Sequence, residues 1–394
     1  MKKICLFAGL AVLLFSCSKM NAYKKYEQGR ELIYPSPLDS VQVYSGKNRV
    51  LVSGLLSGDP NVVKYRIFWS SGTDSLEGAI HPGGGVDTIR QIIDSLPEGP
   101  MSFVVRTYDN AGNISIPINV TGNVYGQNFQ TSIDQRGNRL ILNSMLDLSG
   151  AAAISWADLD GLVTVPGMDV KYYDYAGGFH DTIVAAMPTG QVTQLPNFDV
   201  SKTYQFQTIY KPDSTSIDTF VPSAQTSVLL TEVIVPNNVT PATNSSNDGS
   251  RWAILNNWIT NSGAENHGGY GGIDMRDNSI FFEGGYGAPS IDNGKIYQVA
   301  MLPPGTYTFD GSVNWWNNNG NNYIYVVAAQ GNTGLPDASA LSSAISYGQL
   351  TNGSDVQTQF TLTQPTLVSF GVVMNMGDDG ESIRFNSLRL YINH

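Results

Sequence analysis

Cysteine is nearly missing from this 394-residue chain: Cys5 and Cys17 are the only two, and both fall in its first 17 residues. The rest of the chain can form no disulfide and offers no thiol nucleophile, so an exported fold must rest on sizeable hydrophobic cores. Histidine is also scarce. His81, His180, His267 and His394 are scattered, with no His-x-His or His-Glu-x-x-His spacing, and a zinc site lacks support. Charged residues make up 14%, with a net charge of -11, against roughly 25% charged residues in ordinary soluble proteins. Without a basic surplus, nothing drives binding to a phosphate backbone, which disfavours a nucleic-acid partner. One long apolar run occurs, from Ile4 to Phe15, too short to span a bilayer. No Gly-x-Ser-x-Gly elbow, phosphate loop or long helical periodicity is found.

What remains is apolar, aromatic and rich in turn formers. Hydrophobic residues reach 41%, which excludes an acidic disordered tail, and there are 41 Gly, 19 Pro, 20 Tyr, 15 Phe and 6 Trp. Short period-two segments separated by Gly, Pro and Asn turns predict an all-β chain. Val63-Tyr65-Ile67-Trp69 is one such face, and Asp109-Asn110-Ala111-Gly112-Asn113 is a strong turn. A first β-sandwich is expected over 33–127, a second over 133–231, and a many-stranded jelly roll over 232–394. Leu96-Pro97 precedes Phe103, Val105 and Thr107, and Leu195-Pro196 precedes Tyr204, Phe206 and Thr208. That echo resembles the fibronectin type III pattern and predicts tandem fibronectin type III-like or immunoglobulin-like sandwiches.

Lys2 and Lys3 before a short apolar core read as an export signal. Leu14-Phe15-Ser16-Cys17 resembles a bacterial lipoprotein processing box. The resemblance implies removal of residues 1–16, lipidation of Cys17 and a lipidated tether over 17–32. Ile33-Tyr34-Pro35, Gly46-Lys47-Asn48-Arg49-Val50, Tyr65-Arg66-Ile67-Phe68-Trp69, Leu96-Pro97-Glu98-Gly99, Thr107-Tyr108-Asp109 and Val124-Tyr125-Gly126 resemble the N-terminal domain of uncharacterised Bacteroidetes lipoproteins. Asp292-Asn293-Gly294-Lys295-Ile296-Tyr297, Leu302-Pro303-Pro304-Gly305-Thr306-Tyr307 and the terminal segment from Ile383 to Tyr391 resemble a galactose-binding-domain-like sandwich. Together these resemblances imply an accessory lipoprotein of an outer-membrane glycan-uptake system, with a glycan ligand, a lipid anchor and a neighbouring glycan transporter as partners. Such surface lipoproteins often carry acidic residues after the lipidated Cys. Ser18-Lys19-Met20-Asn21 stands there instead, which leaves both the cell surface and the periplasmic face open.

The chemistry-bearing residues concentrate in the last 160 positions. In Asn314-Trp315-Trp316-Asn317-Asn318-Asn319, alternation from Tyr307 and Phe309 places Trp315 inward and Trp316 outward. An exposed ring can stack on the C–H face of a sugar, and Asn side chains match hydroxyls as donors and acceptors. The expected ligand contacts are Trp316, Trp315, Asn317, Asn319, Trp258, Tyr270, His267, Asp274 and Tyr286. For Trp252 and Trp258, a place in the core is the alternative. Asp378, Asp379 and Glu381 form a hard-oxygen cluster that suits either a structural calcium or a solvated acidic turn. No catalytic residue and no other cofactor is expected. The reading is a non-catalytic glycan-binding lipoprotein. A structural or adhesion protein binding a protein partner, or a glycoside hydrolase with two facing carboxylates, are the alternatives.

Overall fold

The computed structural model describes residues 34–394 apart from 82–84, 159–160, 162–163, 187–191 and 321. The expected signal peptide, the tether and Cys17 lie outside the described residues. The fold is all-β and divides into two compact units. One contains the described residues up to Thr131 together with Lys211–Thr219; the other contains the described residues of Ser132–Tyr210 and Phe220–His394. The boundary expected near residue 231 falls inside the second unit.

The first unit comprises β1 (Asp39–Ser45), β2 (Val50–Ser57), β3 (Val62–Trp69), β4 (Asp74–Ala79), β5 (Val86–Ile93), β6 (Gly99–Asp109) and β7 (Ile118–Val124). They form two antiparallel sheets, β1-β2-β5 and β4-β3-β6-β7. Alternate residues point inward, so Val50, Val52, Tyr65, Ile67, Ile93, Phe103 and Val105 meet in one core. A short helix follows, α1 (Gln127–Arg136). Helical periodicity there is too weak to read from sequence. Its first N–H groups are answered by a distant side chain: the Glu98 carboxylate accepts from Asn128 N–H at 2.7 Å and Phe129 N–H at 2.9 Å. Within the same unit, Asp218 accepts from Arg49 Nε at 2.8 Å, Arg49 Nη2 at 2.6 Å and Lys47 N–H at 2.8 Å. The Arg49 guanidinium holds the Asp218 carboxyl below the usual carboxylate range.

The second unit begins with β8 (Ile141–Leu146), β9 (Ala152–Trp156), β10 (Thr164–Tyr173), β11 (Phe179–Ala185), β12 (Val192–Leu195), β13 (Gln205–Lys211) and β14 (Gln225–Thr226). The strand orders are β12-β9-β8 and β11-β10-β13-β14. This is the connectivity of β1–β7 repeated. The sequence echo occupies equivalent strands: Phe103, Val105 and Thr107 are buried in β6, and Tyr204, Phe206 and Thr208 run buried into and along β13.

The unit continues with β15 (Glu232–Val233), β16 (Asn244–Asn247), β17 (Trp252–Leu255), β18 (Ile259–Thr260), β19 (Gly272–Asp274), β20 (Ser279–Gly284) and β21 (Ile291–Leu302). Then come β22 (Gly305–Asn317), β23 (Tyr323–Gln330), β24 (Ser346–Gln349), β25 (Val356–Leu362), β26 (Thr366–Met376) and β27 (Glu381–Asn393). One sheet runs β18-β21-β26-β23-β24. The other runs β12-β9-β8-β15-β27-β20-β19-β17-β16, with β22 pairing β25 and β27. Phe370, Val372, Met374 and Ile324 from the first sheet pack with Phe309, Phe385, Ile280 and Phe282 from the second. Parallel pairing of Val233 with Leu146 and antiparallel pairing of Val233 with Leu390 carry the second sheet across β15 without interruption.

Candidate functional site

The orientation of the two adjacent tryptophans is decided by a bulge. On β22, Val313 pairs with Phe385 and Trp315 pairs with Arg384, so Asn314 is an extra residue without a partner. An extra residue inverts the side-chain alternation that follows it. Trp315 therefore points outward and is 58% exposed. Trp316 is half-buried and packs against the core, its indole N–H donating to Asn322 Oδ1 at 3.2 Å. The expected faces of Trp315 and Trp316 are exchanged.

Trp315 stands among polar groups, with Arg384, itself paired to Asp277, opposite it on the neighbouring strand. Its indole N–H donates to Ser382 Oγ at 3.2 Å, and Ser382 is the cross-strand partner of Asn317. The Asn317 amide donates to the Tyr286 hydroxyl at 3.3 Å and to the Gly380 carbonyl at 2.5 Å. Asn319 donates to the Asp379 carbonyl at 2.9 Å. Tyr286 is 70% exposed at the tip of the β20–β21 turn, where it has positive φ between Gly285 and Gly287, which also have positive φ. Gly380 has φ +96, a conformation that favours glycine, and a Cβ there would stand 2.8 Å from Tyr286 Cζ, so the exposed ring would have to move. Thus Trp315, Tyr286, Asn317 and Asn319 come together on one surface, as their residue types suggested.

The remaining expected contacts sit elsewhere. Trp258 is buried, with its indole N–H donating to Asn237 O at 3.1 Å, and serves the core. Tyr270 is half-buried in a loop closed by the His267 N–H donating to Tyr270 O at 3.0 Å. His267 stacks face to face on buried Trp252, and its Nε2 is buried without a partner. Burial, then the nearby positive charge of Arg251, lower the His267 pKa to about 4. Asp274 is fully buried, so it cannot meet a ligand.

Asp274 belongs to a charged layer that sequence reasoning did not assemble. Arg251 donates to Asp274 Oδ2 at 2.8 Å and to Glu283 Oε1 at 3.1 Å, and Arg276 donates to Asp274 Oδ2 at 2.6 Å. Arg384 pairs with Asp277 at 2.8 Å. Three guanidiniums thus meet three carboxylates. Arg251 and Arg384 also lie over the Phe281 ring, at 5.6 and 5.1 Å from its centroid. Burial alone would raise the Asp274 carboxyl. The hydrogen bonds from Arg276 and Arg251 outweigh that and hold it far below the usual carboxylate range. A carboxylate so clamped is unsuited to deliver a proton as a glycosidase acid.

The acidic trio does not converge. Glu381 is fully buried and accepts from Gly377 N–H at 2.6 Å, while Asp379 offers its carbonyl to Asn319. Among the described residues, no group of three His, Cys, Asp or Glu side chains is gathered as a metal site. Of the two expected readings of Asp378, Asp379 and Glu381, calcium or a solvated acidic turn, the described residues show a turn beside Tyr286, with Glu381 buried in it and no gathered calcium site. Also among the described residues, no helix is long and apolar enough to cross a membrane.

Comparison with known sequences gives two matches. A family described as a domain of unknown function, DUF4998, matches residues 17–220, and a second, DUF5013, also described as a domain of unknown function, matches residues 236–371. None of the curated proteins matches. Among solved structures, a two-domain fibronectin type III segment of chicken tenascin is 13% identical, covering 50% of this chain and 99% of its own, with a TM-score of 0.20. A bacterial ice-binding adhesin is 11% identical, covering 87% and 99%, with a TM-score of 0.25. Carbohydrate-binding modules of the β-sandwich superfamily are 10% identical, covering 92% and 99%, with a TM-score of 0.17.

Proposed function

The chain belongs to the DUF4998 family, whose function is unknown, and we propose from its own geometry that it is a non-catalytic binding protein for a neutral oligo- or polysaccharide. The observation that carries this reading is the exposed Trp315 ring, fixed by Ser382 beside Asn317 and the exposed Tyr286. A large aromatic surface left in water is a stacking platform when it is held rigid beside polar groups. Both Asn317 side-chain amide hydrogens are used within the protein and its backbone carbonyl accepts from Asn322, so its side-chain Oδ1 is the atom to accept from a sugar hydroxyl. The Tyr286 hydroxyl accepts from Asn317 and keeps its own hydrogen to donate. Neutral groups bind an uncharged chain without desolvating an ion.

The finer parts of the proposal extend the sequence reading. Cys17 is the lipidated residue, the protein sits on the outer membrane, and its glycan passes to a neighbouring transporter. The repeated β1–β7 and β8–β14 connectivity supports fibronectin type III-like modules, and the two sheets of β15–β27 support a galactose-binding-like jelly roll.

Affinity electrophoresis of the purified protein against xylan, mannan, arabinan and glucan tests the site. At least one neutral polysaccharide is expected to retard it, and Trp315→Ala to weaken that retardation about tenfold, which corresponds to ~1.4 kcal/mol. Undiminished retardation of the variant, or no retardation by any of them, overturns the proposal.

A further inference from the structure

The first unit carries a separate feature. In a chain with 33 acidic and 22 basic residues, Arg66 on β3 and Arg106 on β6 are direct cross-strand partners. Both lie on the outward face, because Tyr65, Ile67, Val105 and Thr107 beside them point into the core. Opposite residues in an antiparallel pair have Cα atoms about 4.5–5.5 Å apart, and like charges so placed repel.

Among the described residues, no carboxylate forms an ion pair with either arginine. Glu77 stands opposite Arg66 on β4, but its carboxylate pairs with Lys64 at 3.1 Å. Arg66 turns instead to the Ser75 hydroxyl, donating from Nε at 3.0 Å and Nη2 at 2.7 Å, and its guanidinium lies 5.1 Å from the Phe68 ring centroid. Arg106 donates from Nη1 to Ser115 O at 3.2 Å. A guanidinium has five N–H donors. Among the described residues, three therefore find no partner on Arg66 and four find none on Arg106.

An open groove of about 420 Å³ adjoins Arg106, lined also by Phe68, Trp69, Ser71, Gly72, Ser102 and Val104, and Arg66 reaches its edge through Phe68. It has an aromatic wall and a cationic end. We infer that this face binds an acidic polysaccharide, with its carboxylate or sulfate groups on the Arg66–Arg106 pair and its sugar rings along Phe68, which shares their outer face. Planar guanidinium forks match such oxyanions in a bidentate manner, and aromatic rings take the C–H faces of the sugars. A bound oxyanion also removes the repulsion between the two arginines. Nucleic acid requires a longer run of cations along a densely charged backbone, which this acidic chain does not offer. The inference does not rest on the Trp315 site, which lies in the other unit.

The test uses the whole protein in affinity electrophoresis against heparin (sulfated), polygalacturonate (carboxylated), and single-stranded DNA and phosphatidylglycerol vesicles as competitors. Expected is retardation by one or both acidic polysaccharides, weakening as salt rises and at least tenfold weaker in Arg66→Gln/Arg106→Gln. Trp315→Ala should leave it unchanged. Thermal melts of the double variant, without ligand, are expected to show an equal or higher Tm, because a repulsive pair has been removed. The inference is overturned by no retardation at low salt, by retardation the double variant retains in full, or by displacement by DNA or vesicles at lower concentration than by free polysaccharide.

Discussion

The His267 imidazole lies flat against the Trp252 indole, with 3.8 Å between ring centroids and 10° between planes. The Arg251 guanidinium stands 4.4 Å from the same indole. Protonating the imidazole would add a second cation to that stack. This explains the pKa of about 4, which burial causes first and Arg251 second.

That value fixes a pH dependence. An unfolded histidine takes up its proton near pH 6.5. Between pH 6.5 and 4 the unfolded chain therefore holds more protons at His267 than the native one, and stability falls as the pH falls. After allowance for the half-exposed ring, the loss is on the order of 1–2 kcal/mol. His267→Phe keeps a ring on Trp252 and is expected to flatten Tm against pH across this window. A variant as acid-sensitive as the parent would contradict the assignment.

The two tryptophans should separate binding from stability. Trp316→Ala empties a half-buried site and loses the bond to Asn322, so urea midpoints should report a loss of about 2–3 kcal/mol. Trp315→Ala should stay within roughly 0.5 kcal/mol of the parent while losing glycan affinity. The reverse pattern would mean that the bulge at Asn314 does not set the faces.

Arg251→Ala leaves Asp274 with Arg276 alone and Glu283 without its guanidinium. Uncompensated buried carboxylates are costly, and a destabilisation of about 2–4 kcal/mol is expected in thermal denaturation. Adding Glu283→Gln should recover part of it. No recovery would show that Arg251 acts through its packing on Trp252 and Phe281 rather than through charge.

Gly380→Ala probes the sugar platform from below. The residue has φ +96, and its new methyl would press on the Tyr286 ring. Weaker retardation by the neutral glycan, with Trp315 unchanged, is expected alongside a destabilisation of about 1–2 kcal/mol. Full affinity would remove Tyr286 from the site.

Much of the fold was legible in period-two segments. Val63 to Trp69 lies in a strand as its alternation predicts, and the Leu-Pro echo marks equivalent strands in two repeats. The site was half legible: Trp315, Tyr286, Asn317 and Asn319 were found by residue type, but the outward tryptophan was misassigned. Alternation counts residues and has no register for one that the partner strand skips. α1 was missed because its cap, Glu98, lies 30 positions away from Asn128 in sequence. The Arg251 layer was missed for the same reason, since Arg251, Asp274 and Glu283 reach one another only across paired strands.

β15 is two residues long, yet it is hydrogen-bonded to β8 on one side and β27 on the other, and Glu232 on it also takes Arg389 at 3.2 Å. A chain cut near residue 231 would therefore not release two finished pieces. It would leave two raw β edges, each a template for mispairing. Recombination at that point would carry the same penalty, so the segments before and after it should be inherited together.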